Sequence, residues 1–304
     1  MILYLGSSRD RVYPRFVSEL QRSRFPFAIV DEDNAGSFQI ARASDRWTIH
    51  GPACTGRRPV RSIFVRHAVA RTLDPQVVAP MGALQAQLNL MLLDADCPVV
   101  NPPSHAFSNY SKVFQLGLLA DAGFDVPRTL LTNVSAEALR FVDELNGRVI
   151  FKGASNVMSY AQRWKPEHAD RVRLLPNSPT QFQEFVEGAD YRVHVVGDQA
   201  FVTRLAASNE DYRRSALADN DEIVAEPATL PDEVVARCVS VTRALGLVVS
   251  GIDFKESADG RLVALELNPF PQFTFYEGRS GQPITRAVVE FLGEHQEDGT
   301  TIYA

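Results

Sequence analysis

The stretch Ser250-Gly-Ile-Asp-Phe-Lys-Glu-Ser-Ala-Asp-Gly-Arg-Leu-Val-Ala-Leu-Glu-Leu-Asn-Pro269 constrains the fold more than any other part of the chain. Asp259-Gly260 is a strong signal for a two-residue hairpin turn, whose central positions favour residues that tolerate positive φ. Such a loop sets Ala258 opposite Arg261. Counting back from there, Phe254 faces Leu265, Asp253 faces Glu266 and Ile252 faces Leu267. Side chains alternate between the faces of a strand, so one face is apolar and the other carries Asp253, Glu266 and Asn268. Two acids directly opposed weaken a sheet unless something compensates. Three oxygen donors on one face suit a hard divalent cation such as Mg²⁺, which usually keeps waters and substrate phosphates as its other ligands. The acid pair alone fits a solvated outer face nearly as well; the added Asn268-Pro269 favours the metal.

The rest of the chain must supply partners for this hairpin, and its pattern divides in two. Through about residue 100, strands alternate with helices: Ile2–Leu5, a helical pattern from Arg9 to Arg22, Phe27–Val30, Ser62–Val65, a long helix from Asp74 to Leu93, and Pro98–Val100. That order predicts a mainly parallel sheet with helices on both faces. The turn Gly6-Ser-Ser-Arg9 is not GxGxxG, so a dinucleotide site there has little support. Beyond Asn101-Pro-Pro103 the pattern changes. A helix around Ser108–Ala122 stops at Gly123, a strand covers Arg128–Leu131, Ser135 caps a helix to Leu145, and Arg148–Lys152 is another strand. Residues 153–179 are polar and without periodicity. From Gln181 come strong strand signals and two hairpins, the first turning at Gly197-Asp198, with a helix from Pro231 to Leu245 between them and a last helix over Ile284–Leu292. Three units are expected: 1–100, 101–183 and 184–304.

A length of 304 residues agrees with more than one domain. The net charge of −6 and pI of about 5.6 argue against a nonspecific nucleic-acid or anionic-membrane binder. The three cysteines, Cys54, Cys97 and Cys238, form no CxxC pair, and the six histidines lack metal-ligand spacing. A disulfide framework and structural zinc are therefore not expected. The apolar run at Met1–Leu5 is too short for a signal peptide and no segment reaches membrane-spanning length, so a cytoplasmic location is expected.

Four further features carry chemistry. Lys112 opens a helix after a Pro-rich loop and Lys152 ends a strand, and an ammonium suits phosphate oxygens; taken singly, each is more often simply a surface residue. Gln183-Glu-Phe-Val-Glu187 runs from an apolar strand into an acid, as would a connector that offers backbone groups to an adenine edge; a plain strand end fits the segment about as well. Arg192 and Arg204 lie near the open end of the first hairpin, with Arg213 and Arg214 in the loop beyond. Guanidinium groups match phosphate and carboxylate by paired hydrogen bonds. His194 reads as a sheet residue.

Taken in this order, the pieces resemble the ATP-grasp ligases, in particular the RimK-type branch of ribosomal-protein glutamate ligases and peptide-cyclising enzymes. The resemblance rests on Asn109-Tyr-Ser-Lys112, Val149-Ile-Phe-Lys152, Gln183-Glu-Phe-Val186, Asp190-Tyr-Arg192 and the set Asp253, Glu266, Asn268-Pro269, and covers roughly residues 100–293. It implies an α/β and α+β architecture, an ATP-grasp fold preceded by a small parallel-sheet α/β domain. Lys112 and Lys152 would hold ATP phosphates. The connector Glu184, Phe185 and Val186 would meet adenine, and Glu187 the ribose. Asp253, Glu266 and Asn268 would bind Mg²⁺, as a pair of ions that Mn²⁺ could replace. Arg192, Arg204 and Arg213 would hold the terminal phosphate or an acyl phosphate. One departure is that Gly153-Ala-Ser-Asn-Val-Met-Ser-Tyr160 has a single glycine where many relatives have a Gly-rich loop; another is the absence of tryptophan in Pro269–Tyr276.

The expected activity is ATP-dependent amide formation between a carboxylate and an amine, each a small molecule or peptide, through an acyl phosphate. Neither nucleic acid nor membrane is an expected partner, and a homodimer is compatible with the sequence. A phosphotransferase on the same scaffold and a noncatalytic ATP-binding module are the alternatives. They differ from the ligase in giving a phosphorylated product or no acceptor-dependent ADP release.

Overall fold

The computed structural model describes the chain apart from residues 53, 68–73, 107–110, 154–160, 207–223 and 295–301. At its start, β1 (Ile2–Gly6), α1 (Tyr13–Arg22), β2 (Phe27–Asp31) and, after an intervening hairpin, β6 (Ser62–Arg66), α2 (Pro75–Leu93) and β7 (Val99–Val100) build a parallel sheet of order β2-β1-β6-β7. Strands covered on both faces read as continuous apolar runs. Leu3, Leu5, Ile63 and Val65 pack with Leu88 and Met91 of α2, and Ile2, Tyr4 and Phe64 with Phe16 and Leu20 of α1. The intervening β3 (Gln39–Ala43), β4 (Arg46–Gly51) and β5 (Cys54–Thr55) form a small second sheet, joined at the end of the chain by β17 (Ile302–Tyr303) parallel to β4.

The second layer system begins with α3 (Lys112–Asp121). Ser111 Oγ accepts from Phe114 N at 3.3 Å, and Gly123, at φ +82°, ends the helix. A sheet of order β10-β9-β11-β8 follows, from β8 (Thr129–Thr132), β9 (Val149–Gly153), β10 (Gln162–Arg163) and β11 (Thr180–Glu184). Its Phe151 and Phe182 pack on α4 (Ser135–Glu144) and on a 3₁₀ segment, Pro166–Asn177, where the sequence offered no assignment. Ser135 does not cap α4. Its hydroxyl donates to Val172 O at 2.7 Å and so ties the helix to that segment.

The third sheet has order β14-β13-β12-β15-β16, from β12 (Ala189–Val196), β13 (Gln199–Ala206), β14 (Val224–Pro227), β15 (Val249–Glu256) and β16 (Leu262–Asn268), all antiparallel. One face is apolar: Val193, Val195, Ile252, Phe254 and Leu267 pack on Leu116 and Leu119 of α3 and on Cys238 and Val241 of α5 (Asp232–Ala244). The opposite face meets α6 (Phe273–Ser280), a helix the sequence reading did not assign, and α7 (Ile284–Glu294), which also packs on the first sheet through Val288 and Leu292.

The register of the last hairpin differs from expectation at both ends. The loop has three residues, not two, because Ser257 N donates to Arg261 O at 2.9 Å and Gly260, at φ +80°, closes the turn by donating to Ser257 O. That shifts the pairing by one, and a bulge between Asp253 and Phe254 shifts it back. Phe254 therefore faces Ala264 rather than Leu265, while Asp253 still faces Glu266 and Ile252 still faces Leu267. The bulge has a packing reason. Ala264 and Leu267 are an odd number of residues apart yet both enter the same core, which a regular strand could not achieve.

Candidate active site

Asp253 and Glu266 sit side by side and buried on the face of the third sheet opposite its apolar core. Each is compensated by a cation, which answers the repulsion that the opposed acids would otherwise bring. Lys112 Nζ donates to Glu266 Oε1 at 2.8 Å, across 154 residues of chain. Arg192 is the cross-strand neighbour of Asp253 and its Nη1 donates to Asp253 Oδ1 at 2.6 Å. The guanidinium reaches that position because the flanking strand carries no side chain there: a Cβ on Gly251 would stand 2.2 Å from Arg192 Nη2.

A second layer holds these groups. Arg192 Nε donates to His194 Nε2 at 3.4 Å, which leaves the imidazole proton on Nδ1, buried and without a hydrogen-bond partner among the described residues. Burial, aided by the adjacent guanidinium, holds the His194 pKa well below the usual histidine range. Tyr276 of α6 presents its ring to both, 4.8 Å from the His194 ring and 5.5 Å from the Arg192 guanidinium. On the far side, Gln115 stands one turn after Lys112 on α3, and its Oε1 accepts from Leu267 N at 3.2 Å. Asn101 fixes the end of β16: its Oδ1 accepts from Val248 N and Val249 N, both at 2.9 Å, and its Nδ2 donates to Val249 O and Pro269 O. Asn268 Oδ1 accepts from Phe270 N at 3.0 Å, shaping the turn that leaves the strand.

The donor set fits a hard cation. No group of three or more His, Cys, Asp and Glu side chains among the described residues is arranged for a metal; a site here would draw on two carboxylates and the Asn268 amide oxygen. That leaves several positions to waters and phosphate oxygens, the usual arrangement for Mg²⁺.

The remaining candidates divide. Lys152 is opposite Gln181 on the face of the second sheet that points away from its aromatic core, and Gln181 Nε2 is buried without a partner among the described residues. Around the connector, Glu184 N donates to Arg128 O and Phe185 N to Arg148 O, so both amides are committed within the protein. The Phe185 ring lies 4.3 Å beneath the Arg163 guanidinium, and Glu187 is exposed ahead of Gly188. Arg204 is not brought to the carboxylates. It pairs with Tyr191 on one side and Glu226 on the other, which puts it on the α5 face of the sheet and separates it from Arg192. Arg213 lies outside the described residues. The residues missed from sequence are Asn101, Gln115, Gly251 and Tyr276; only Gly251, a glycine inside a strand pattern, carried a local signal, that of close approach by another group.

Residues 109–292 match the family described as the RimK-like ATP-grasp domain. A protein of Haemophilus influenzae (strain ATCC 51907 / DSM 11121 / KW20 / Rd) named as a probable alpha-L-glutamate ligase is 30% identical over 199 residues, 62% of this chain and 65% of that relative, so the match spans under two thirds of the relative's length. The structure of the ATP-grasp ligase PsnB, complexed with a phosphomimetic variant of its minimal precursor, Mg and ADP, superposes with a TM-score of 0.83 at 26% identity, over 97% of this chain and 98% of that one. The macrocyclase MdnC of Microcystis aeruginosa MRC, bound with its precursor peptide MdnA, gives 0.81 at 20% identity over 96% and 98%, a likeness that speaks to the fold alone.

Proposed function

This chain belongs to the RimK-like ATP-grasp family, and from that premise we propose that it is an ATP-dependent carboxylate–amine ligase whose substrates include a peptide. The observation that carries the reading is the buried, cation-compensated pair Asp253 and Glu266 beside Asn268. A noncatalytic fold has no need to bury two opposed acids against Lys112 and Arg192. In this reading Asp253, Glu266 and Asn268 hold Mg²⁺, as a pair of ions that Mn²⁺ could replace, and Lys112, Lys152 and Arg192 face nucleotide phosphates. Glu184, Phe185, Val186 and Glu187 border the base and ribose. Bound Mg²⁺ would supply charge neutralisation at the phosphates.

The chain's own residues act by position and charge. A substrate carboxylate oxygen attacks the terminal phosphorus, and the bond from that phosphorus to the bridging oxygen of ADP breaks. The amine nitrogen then attacks the acyl carbon, phosphate leaves with the carbon–oxygen electron pair, and one amine proton passes to solvent. Lys112 and Arg192, already positioned against the two carboxylates, offset the charge that gathers on the transferred group. The PsnB complex with its minimal precursor is the support for a peptide substrate. No helix among the described residues is long and apolar enough to cross a membrane, and Cys54, Cys97 and Cys238 are free thiols, which suits work in the reducing cytoplasm. The test is ADP release measured against pools of amino acids, dipeptides and short peptides, with mass spectrometry on the products. A product lighter by one water than its joined substrates supports the ligase. A phosphorylated acceptor without amide formation rejects it.

A further inference from the structure

Among the described residues, the buried side-chain atoms left without a hydrogen-bond partner are Gln115 Nε2, Gln181 Nε2 and His194 Nδ1. All are N–H donors, His194 because its other ring nitrogen accepts from Arg192. Each also stands beside one of the cations assigned above to nucleotide phosphates. Gln115 follows Lys112 by one turn of α3, Gln181 is the cross-strand neighbour of Lys152, and His194 is bonded to Arg192. Leaving a buried donor unpaired costs stability, so each instance calls for a cause. Faults of packing would strand acceptors as readily as donors. Donors alone, set beside cations, are what an anion satisfies.

Gln181 is the member of this set whose placement identifies its ligand. Gln115 is tied through Oε1 to Leu267 N, and the His194 ring is wedged against Tyr276. Gln181 sits within β11, flanked by β9 and β8, on the face that carries Lys152 rather than the aromatic core. Glutamine gains nothing there as a strand former, and at 3% exposure it is cut off from bulk water. The next residue on the same face, Gln183, is settled, since its Nε2 donates to Thr129 Oγ1 at 3.3 Å. Directly opposed residues of an antiparallel pair have Cβ atoms about 4.5–5.5 Å apart, so an oxygen held by the Lys152 ammonium comes within reach of the Gln181 amide. An amide also suits this place because it binds an anion without setting a second positive charge against Lys152. We propose that Gln181 is a nucleotide-binding residue, its Nε2 donating to a nonbridging oxygen of the phosphate that Lys152 holds. The proposal rests on the nucleotide reading above and adds to it a neutral donor that fixes where the phosphate sits.

The test is calorimetry with ADP and Mg²⁺ on the full chain, read together with the melting temperature of the nucleotide-free protein. Gln181→Met keeps the length and bulk of the side chain and removes the donor. This variant should bind ADP about tenfold more weakly, while its melting temperature without nucleotide equals or exceeds the parent's, because the unpaired donor is gone. Gln181→Glu, of the same shape, should weaken ADP binding further, since its carboxylate repels the phosphate and competes for Lys152. A lower melting temperature of Gln181→Met, whatever its affinity, would show a structural glutamine and overturn the proposal. So would ADP affinity within about twofold of the parent's in either variant, the result if the amide serves only a trapped water. A parent that binds no ADP would overturn the nucleotide reading itself, and only in that case do the two fail together.

Discussion

Removing the Arg192 guanidinium while leaving Asp253 in place should cost the third sheet about 3–5 kcal/mol, because it strands a buried charge. The side chains are 5% and 4% exposed and 2.6 Å apart. At an effective dielectric of about 20, that separation corresponds to a gross attraction of roughly 6 kcal/mol. Most of that attraction offsets the desolvation of two ions, so the net worth of the pair is small while each half alone is costly. Arg192→Met and Asp253→Leu should each destabilise, and the double variant should cost less than either single change. Hydrogen exchange at the amides of β12 and β15 reads this locally: 3–5 kcal/mol corresponds to exchange faster by about two to four orders of magnitude. Singles that exchange within about threefold of the parent, which is under 1 kcal/mol, would refute the reasoning. So would a double variant whose loss equals the sum of the two.

Gly251→Ala should abolish turnover while the fold survives, because the new methyl occupies the space of Arg192 Nη2; kcat close to the parent's would show that the guanidinium has another place to rest. For pH, His194 stays neutral in the folded chain well below its ordinary 6.5, whereas the unfolded chain takes up the proton there. Stability from this group is therefore complete above about pH 6.5 and falls on acidification, by up to about 1.4 kcal/mol per pH unit until the folded pKa is reached. His194→Gln should flatten that part of the stability profile, and an unchanged slope below pH 6.5 would contradict it. Lys152→Ala should weaken ATP binding by about tenfold or more, roughly the 1.5–3 kcal/mol of a hydrogen bond to a charged group. Lys165→Ala, at an exposed lysine, should not, and calorimetry that finds the two variants alike would reject the assignment.

Local patterning made much of this legible. The strand–helix alternation of the first unit follows from residues whose partners are near in sequence, and the polar face of the last hairpin from the two-residue period of a strand. The hairpin also shows how far such reading reaches. The pattern implies a two-residue loop and a regular strand, whereas the loop has three residues and the strand pair a bulge; the two shifts cancel at Asp253 and Glu266 because the bulge falls between the site and the turn. The β3–β4 hairpin was missed because Ser44, not a glycine, takes the positive φ of its turn. Helix α6, and with it Tyr276, was hidden behind Pro269 and Pro271, which signal loop. The pairings Lys112–Glu266 and Arg192–Asp253 depend on how elements far apart in sequence stack, and no local period encodes that.

Which bond to phosphorus is made and broken defines the reaction. Oxygen-18 placed in the substrate carboxylate should appear in inorganic phosphate, with ADP as the nucleotide product, because Lys112 and Arg192 gather beside the carboxylate pair that would hold the Mg²⁺ of the terminal phosphates. Label recovered in AMP would mean attack at the α-phosphorus and would contradict the account.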